Sequence, residues 1–460
     1  MRQGAERPSC DSESTDRTAR RRRDRPITLR KGTEGRAGGG RGIPVSADSV
    51  RVILVEYYVT DHGIRIFGIV PEAQKPEVLT VRLTRAELRA SANDFHTLLR
   101  RERSRMADYL AGEALRALVR PIQEWAAPGD LVYLVPHDAL HRLPLHAVPL
   151  DGAPLAERNP VVLTPSASVL RYCWSQRKAS RSSVLVVAAP PSDPPMTFAH
   201  TQATAVSRLF AEPEVLVGGR ASRAGLMERL RTGNDSPDVL HFTAHGVFEP
   251  IDPMRSGVEL ADGRLTAEDV LGLSLAVDLV VLGSCESGLS ERRPGDELIG
   301  LTRALLYAGA ASTLVSLWRV DELSTGLLLT RFYEELRAGN SKAESLRRAQ
   351  AWLRRLTHAD VLRHAQDVRS TLVPGTPLET ALLMEEARLL ARAGDVGTAL
   401  RIYDDLCAAR GPAGGLRAQA RIRAAQVRLG RPVLERRSGE DRAFPDPYHW
   451  APFVLTGDWC

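Results

Sequence analysis

Two residues whose side chains are of types used in catalysis, a histidine and a cysteine, follow apolar runs in the second third of the chain. His245 comes at the end of HFTAHG, after a run that begins at Asp238, and Cys285 lies in VVLGSCESG. A free thiol with an ordinary pKa of about 8.5 is only a few per cent thiolate at neutral pH. An imidazole that takes the thiol proton and later protonates a leaving amine would make the pair a nucleophilic catalyst.

The main chain beside the pair adds a second catalytic element. Gly246 has no side chain, so a substrate carbonyl can approach its backbone closely. The N–H groups of Gly246 and Cys285 are candidates for an oxyanion hole, which is worth about 3–4 kcal/mol in other enzymes. Packing is the plainer interpretation of a cysteine after a buried strand. His241 alternates with core residues, and we expect it to be structural.

Strands and helices that could position these residues alternate from residue 130 onward. Continuous Val and Leu strands between helices indicate a mostly parallel sheet covered on both faces. Ligands of such sheets bind at the carboxyl ends of the strands, where both His245 and Cys285 fall. The strand candidates are 131–136, 183–190, 213–218, 238–245, 277–284 and 312–318, and the helical stretches are 200–211, 222–232, 297–309, 323–338 and 341–356.

The rest of the chain has a different pattern. Residues 50–70 indicate a hairpin, with a further strand at 78–83 and helices over 84–127. Residues 358–440 are helical in pattern and rich in Ala, Arg and Leu, and APFVLTG at 451–457 is a final strand candidate. We therefore expect the helical block to be inserted into the α/β domain and the final strand to return to its sheet.

Charge and cysteine content exclude several classes of function. The net charge of +6 is carried by residues 1–42, so the remaining chain sums to zero and gives no electrostatic case for nucleic-acid binding. No apolar run is long enough to cross a membrane. The five cysteines form no CxxC pair, which favours a reducing, cytoplasmic setting and predicts neither a zinc site nor a disulfide framework.

These motifs closely resemble those of the CHAT family, caspase-like cysteine peptidases related to separases and often associated with TPR repeats. HFTAHG and LGSCESG resemble the histidine and cysteine motifs of that family. The similar segments elsewhere are 131–150, 295–322, 332–354 and 447–459. The resemblance implies that Cys285 is the nucleophile and His245 the catalytic histidine. It also implies limited, regulatory hydrolysis of peptide bonds with neither a metal nor another cofactor.

The resemblance implies a caspase-like three-layer α/β/α sandwich with an α-helical, TPR-like insertion. Ala387, Gly394, Asp395, Ala399 and Tyr403 fit one TPR unit. The expected organisation is a disordered Arg/Gly-rich tail (1–46), a pseudo-caspase-like part (49–178), a catalytic part (179–357), the insertion (358–444) and a terminal strand segment (445–460).

The expected partners are a protein or peptide substrate and an activating protein bound through the insertion, with no nucleic acid and no membrane. Two alternatives stay open at this point: a catalytically silent scaffold, and an esterase or acyltransferase that uses the same thiolate. Some caspase relatives that cleave after basic residues carry an acid just before the nucleophile. Gly283 and Ser284 stand at those positions here, so no substrate-binding residue is assigned.

Overall fold

A computed structural model of the chain shows an α/β architecture. It describes residues 50–188, 199–231, 236–247, 249, 252–283, 296–370, 372–408, 414–429 and 441–460. The tail predicted to be disordered and the predicted nucleophile Cys285 lie outside the described residues.

Strands occur throughout the described chain except in the helical block after residue 357. They are β1 (Val52–Thr60), β2 (Gly63–Ile69), β3 (Glu77–Val81), β4 (Leu131–Val135), β5 (Pro149–Leu150), β6 (Ala153–Pro154), β7 (Val161–Leu163), β8 (Ser183–Ala188), β9 (Glu212–Val217), β10 (Val239–Thr243), β11 (Gly246–Val247), β12 (Gly257–Leu260), β13 (Gly263–Thr266), β14 (Val277–Leu282), β15 (Ala310–Ser316) and β16 (Phe453–Gly457).

Helices alternate with these strands and then form a continuous block. They are α1 (Arg85–Arg101), α2 (Met106–Leu110), α3 (Glu113–Trp125), α4 (Leu155–Arg158), α5 (Ala167–Ser175), α6 (Ala199–Ser207), α7 (Arg223–Arg231), α8 (Ala267–Leu271), α9 (Asp296–Tyr307), α10 (Glu322–Arg337), α11 (Lys342–Arg355), α12 (His358–Ser370), α13 (Pro377–Arg392), α14 (Val396–Ala408), α15 (Gly414–Arg428) and α16 (Pro447–Trp450).

One sheet of eleven strands runs through the molecule in the order β3-β2-β1-β4-β7-β16-β15-β14-β10-β8-β9. Its strands are antiparallel at β3–β2, β2–β1 and β16–β15 and parallel at every other junction. The final strand β16 lies between β15 and β7 and so joins the two parts of the sheet. A small separate sheet has the order β11-β12-β13.

The two faces of the central strands belong to two different cores. Val239 of β10 and Val281 of β14 pack in the first core, with side chains of α6, α10 and α11. Leu240 and Leu282 pack in the second core, with side chains of α7, α8 and α9. Because side chains alternate across a strand, this division places one helical layer on each face of the sheet. The predicted α/β/α sandwich with a mostly parallel sheet is therefore confirmed.

Side chains that cap helices fix where the elements around the sheet begin. Thr84 and Glu87 form a capping box at the start of α1. Asp321 caps α10, and Ser341 caps α11, each by accepting a backbone N–H of the first turn. These residues satisfy N–H groups that the first turn of a helix leaves without partners. The capping residues therefore determine where these helices begin.

Most elements predicted from periodicity are present within a few residues of their predicted bounds. The strand predicted at 238–245 is shorter, because β10 ends at Thr243 and the chain then turns into β11. The sequence analysis did not predict β7 or the small sheet. Their strands have only two to four residues, which is too short for an alternating pattern to be recognised.

The helical block after residue 357 has a core of its own. Helices α13 and α14 meet at a turn in which Gly394 has a φ of +94°, a conformation that favours glycine. Ala387, Ala399 and Tyr403 are buried together with residues of α15. Helical structure is thus present where it was predicted, whereas the domain boundaries 49–178, 179–357, 358–444 and 445–460 stay a prediction.

Candidate active site

Strands β10 and β14, which come just before the two predicted catalytic positions in the sequence, end at the same edge of the sheet. These strands are parallel neighbours in which Phe242 is opposite Leu282. The N–H of Gly283 donates to the carbonyl of Phe242 at 2.9 Å, so the pairing continues to the last described residue of that segment. His245 follows Phe242 by three positions, and Cys285 follows Leu282 by three positions.

His245 stands where the chain leaves β10 and enters the small sheet. Its residue is 5% exposed, and its backbone carbonyl accepts the N–H of Glu259 at 2.8 Å. The next residue, Gly246, is paired with Val258. Close packing of β12 on β13 requires glycine at 257, because a Cβ there would lie 1.9 Å from the carbonyl oxygen of Leu265. The small sheet therefore holds the backbone of His245 and Gly246.

His241 occupies a different environment on the same strand. Its side chain is completely buried, and Nδ1 forms a 3.0 Å hydrogen bond with Oη of Tyr333 on α10. Burial lowers the pKa of His241 to about 3, so the imidazole is neutral at physiological pH. Its position in the first core agrees with the structural role expected from the sequence.

Two polar side chains that the sequence analysis did not select lie beside the strand ends. Thr243 is the last residue of β10, and its buried Oγ1 has no hydrogen-bond partner among the described residues. Gln202 belongs to α6, and its buried Nε2 likewise has none there. No motif or spacing marks Gln202, because α6 is recognised by its periodicity as a packing helix.

The part of the chain that the structure describes contains no cluster of His, Cys, Asp and Glu that could hold a metal ion. Among the same residues, no helix is both long and apolar enough to cross a bilayer. The polar groups at the described edge of β10 and β14 are an imidazole, a hydroxyl, an amide and main-chain N–H groups. Such groups can transfer protons and donate hydrogen bonds.

The family model described as "CHAT domain" matches residues 109–458, about three quarters of the chain. The chain belongs to the CHAT domain family. The family that the motifs at His245 and Cys285 predicted is therefore confirmed. The match also includes the helical block and β16, so this CHAT domain extends across most of the described residues.

Two curated proteins share sequence with this CHAT protein. Tetratricopeptide repeat protein 28 of Homo sapiens is 45% identical over 82 residues, which is 18% of this chain and 3% of that protein. Tetratricopeptide repeat protein 28 of Mus musculus is 42% identical over 119 residues, which is 26% of this chain and 4% of that protein. The chain thus matches only a few per cent of the length of these relatives.

Two solved structures are similar to the CHAT protein at low sequence identity. The Saccharomyces cerevisiae separase–securin complex matches with a TM-score of 0.44 and 9% identity, over 66% of this chain and 29% of that chain. The Arg-specific cysteine proteinase gingipain R matches with a TM-score of 0.35 and 11% identity, over 65% of this chain and 70% of that chain.

Proposed function

We propose that this CHAT protein is a cysteine endopeptidase in which Cys285 is the nucleophile and His245 is the general base and acid. The observation that carries the proposal is the matched register of β10 and β14. It supports placing an imidazole and a thiol at equivalent positions after neighbouring parallel strands. The burial of His245 supports it further, since a sheltered site strengthens electrostatic interactions.

The proposed reaction follows from these two groups. His245 takes the thiol proton, and the sulfur of Cys285 bonds to the substrate carbonyl carbon. The resulting oxyanion accepts hydrogen bonds from the N–H groups of Gly246 and Cys285. The carbon–nitrogen bond then breaks as His245 protonates the leaving amine. Water attacks the thioester with His245 as the base, which releases the acid product and restores the thiol.

The substrate class follows from the same proposal: a protein or peptide, cut at one or a few sites. The insertion is proposed to bind an activating protein, since α12–α15 present a helical surface outside the main sheet. A cytoplasmic location is proposed because Cys173, Cys407 and Cys460 are free thiols in this structure.

Substitution of the two proposed catalytic residues tests the function. Cleavage of a peptide library by purified protein is expected to fall at least about 1,000-fold in Cys285→Ala and at least about 100-fold in His245→Ala. His241→Ala serves as the matched control on the same strand, and its loss is corrected for the folded fraction. Wild-type cleavage rates in Cys285→Ala would reject the assignment. Turnover of small esters without cleavage of peptides would assign the thiolate to acyl transfer instead.

A further inference from the structure

A groove with a volume of about 1040 Å³ lies between helices α5 and α9. Val169 and Tyr172 of α5 line it together with Gly300, Ala304 and Tyr307 of α9. The hydroxyl of Tyr172 donates to the carbonyl of Tyr307 at 3.4 Å, which joins the last turns of the two helices. We call this feature the α5–α9 groove.

Three of the side chains that line the α5–α9 groove are large, apolar and exposed. Tyr172 is 43% exposed, Leu271 at the end of α8 is 39% exposed, and Tyr307 is 74% exposed. Leu301 and Leu305 of α9, by contrast, are buried in the second core. Helix α9 therefore packs one side on the sheet and exposes apolar groups on another, and exposed apolar patches of this kind mark interaction sites.

One positive charge accompanies this apolar surface. Arg303 is exposed, and among the described residues that line the groove it alone is charged. Its guanidinium has no ion pair or hydrogen bond with any described residue. Arg303 also lines a smaller cavity of about 50 Å³, together with His141, Thr164 and Thr302, which is more space than one water molecule needs. A guanidinium stays charged and only donates, so its missing partner is an acceptor, and a carboxylate is the best match.

The spacing of the lining residues fits a helical ligand. Gly300, Arg303, Ala304 and Tyr307 are three and four residues apart, so they form one stripe along α9. Two neighbouring helices offer a groove into which the apolar side chains of a third helix pack. The high exposure of Tyr307 shows that the groove is open, whereas sites for small molecules enclose most of the ligand surface.

We propose that the α5–α9 groove binds an amphipathic helix of a partner protein, and that this helix carries an Asp or Glu beside its apolar face to pair with Arg303. The apolar face of the helix covers Tyr172, Leu271 and Tyr307. The proposal concerns an interaction surface and does not depend on the assignment of the peptidase residues. Its site also differs from the insertion, since no residue of α12–α15 lines the groove.

Selection of helical peptides on the purified full-length protein tests the charge of the partner. The probe is a displayed library of helices of about 18 residues, with Leu at i, i+3, i+4 and i+7 and random residues elsewhere. Enriched peptides are expected to carry Asp or Glu beside the Leu stripe. In fluorescence anisotropy they are expected to bind Arg303→Glu at least about 10-fold more weakly than the wild type, because like charges then meet.

A charge exchange and a matched control sharpen this result. Replacing the acid of an enriched peptide by Lys is expected to restore its binding to Arg303→Glu. Arg116→Glu changes an exposed arginine of α3 that does not line the groove, and it is expected to bind the peptides as the wild type does.

The apolar contacts are tested by a second variant. Tyr307→Ala is expected to weaken the same peptides at least about 10-fold, whereas Tyr58→Ala, at an exposed ring of β1, keeps the wild-type affinity. Because these side chains are exposed, the urea midpoints of the variants are expected to match that of the wild type. A loss of binding is then not a loss of folded protein.

Three results would overturn the proposal. The first is a selection that enriches no peptide, or only peptides that bind Arg303→Glu and Tyr307→Ala as they bind the wild type. The second is a wild-type dimer in sedimentation that becomes monomeric in Tyr307→Ala, which would make a second copy of the chain the occupant. The third is binding to phosphatidylserine vesicles that Arg303→Glu abolishes, without peptide binding, which would assign the groove to a lipid surface.

Discussion

The amino and carboxyl edges of the central strands differ in how their polar groups are used. At the amino edge, Lys342 is completely buried, and its Nζ lies 3.0 Å from carboxylate oxygens of both Asp278 and Asp458. Asp278 lies at the start of β14, and Asp458 follows β16, which runs in the opposite direction. This cluster joins the last residues of the chain to the middle of the sheet.

Further charges complete the amino edge. Arg181 pairs with Asp278, and Arg177 pairs with Asp458. Lys178 pairs with Asp238 at 3.0 Å, just before β10. Burial alone would raise the pKa of Asp278, but Lys342 and Arg181 hold that pKa below its ordinary value.

At the described carboxyl edge of β10 and β14, buried polar side chains lack the partners that the charges of the amino edge have. Thr243 and Gln202 are buried there, and Oγ1 of Thr243 and Nε2 of Gln202 have no hydrogen-bond partner among the described residues. The comparison shows that charged side chains are paired where these strands begin. Where the strands end, buried polar atoms lack hydrogen-bond partners among the described residues. The stabilising charges and the proposed catalytic residues thus belong to opposite ends of the same strands.

The largest effect on stability is expected when the amino edge loses its central cation. Lys342→Met leaves two buried carboxylates without their shared partner, and we expect a loss of about 3–5 kcal/mol in the free energy of unfolding. Urea denaturation followed by circular dichroism measures it. Arg105→Met, which breaks an exposed pair with Glu102, is the control and is expected to leave the free energy of unfolding nearly unchanged, because water screens such a pair. Equal losses in the two variants would refute the contrast.

An intermediate effect is expected from the buried imidazole between the two edges. His241 has a folded pKa of about 3 against about 6.5 when unfolded. The unfolded chain therefore binds more protons below pH 6.5, and stability falls as the pH is lowered from there toward 3. Between pH 8 and pH 5 this residue is expected to account for about 2 kcal/mol.

The double variant His241→Leu/Tyr333→Phe isolates this contribution, because it removes both members of the hydrogen bond. Both proteins are expected to lose unfolding free energy when the pH is lowered from 8 to 5. The loss in the double variant is expected to be about 2 kcal/mol smaller than the loss in the wild type. His62→Leu, at an exposed turn, is the control with wild-type acid sensitivity. The same pH dependence in the double variant and the wild type would mean that His241 is not neutral in the folded protein.

The smallest effect compares one buried hydroxyl from each edge. Ser312 donates from Oγ to the carbonyl of Asp278 at 2.6 Å, so Ser312→Ala is expected to cost about 1 kcal/mol. Thr243→Val replaces a hydroxyl that has no described partner with a methyl of similar size, and stability is expected to stay unchanged or rise. If thermal melts show an equal loss in both variants, the hydroxyl of Thr243 is satisfied in the folded state.

Much of the fold could be predicted because its signals are local. Continuous Val and Leu runs specify β8, β10 and β14, and three- and four-residue periodicity specifies α9 and α10. The placement of His245 at a strand end followed from the same patterns. The charged cluster of Lys342, Asp278 and Asp458 could not be predicted in this way. Lys342 contacts residues that are 64 and 116 positions away in the sequence.

The side chain beside the site shows the same limit. Gln202 reaches Gly283 only because α6 crosses the first-core face of β10. No spacing in the sequence encodes that approach. The motif positions of His245 and Cys285 could be selected from their neighbours, whereas the approach of Gln202 from another helix becomes visible only when the layers are assembled.

The central claim is that His245 activates the thiol of Cys285. The most direct test is the rate at which iodoacetamide alkylates Cys285 at pH 6, followed by mass spectrometry of the peptide that contains it. The account predicts a rate at least about 10-fold higher in the wild type than in His245→Ala, since an imidazole that holds the proton keeps the sulfur reactive. Equal rates in the two proteins would contradict it.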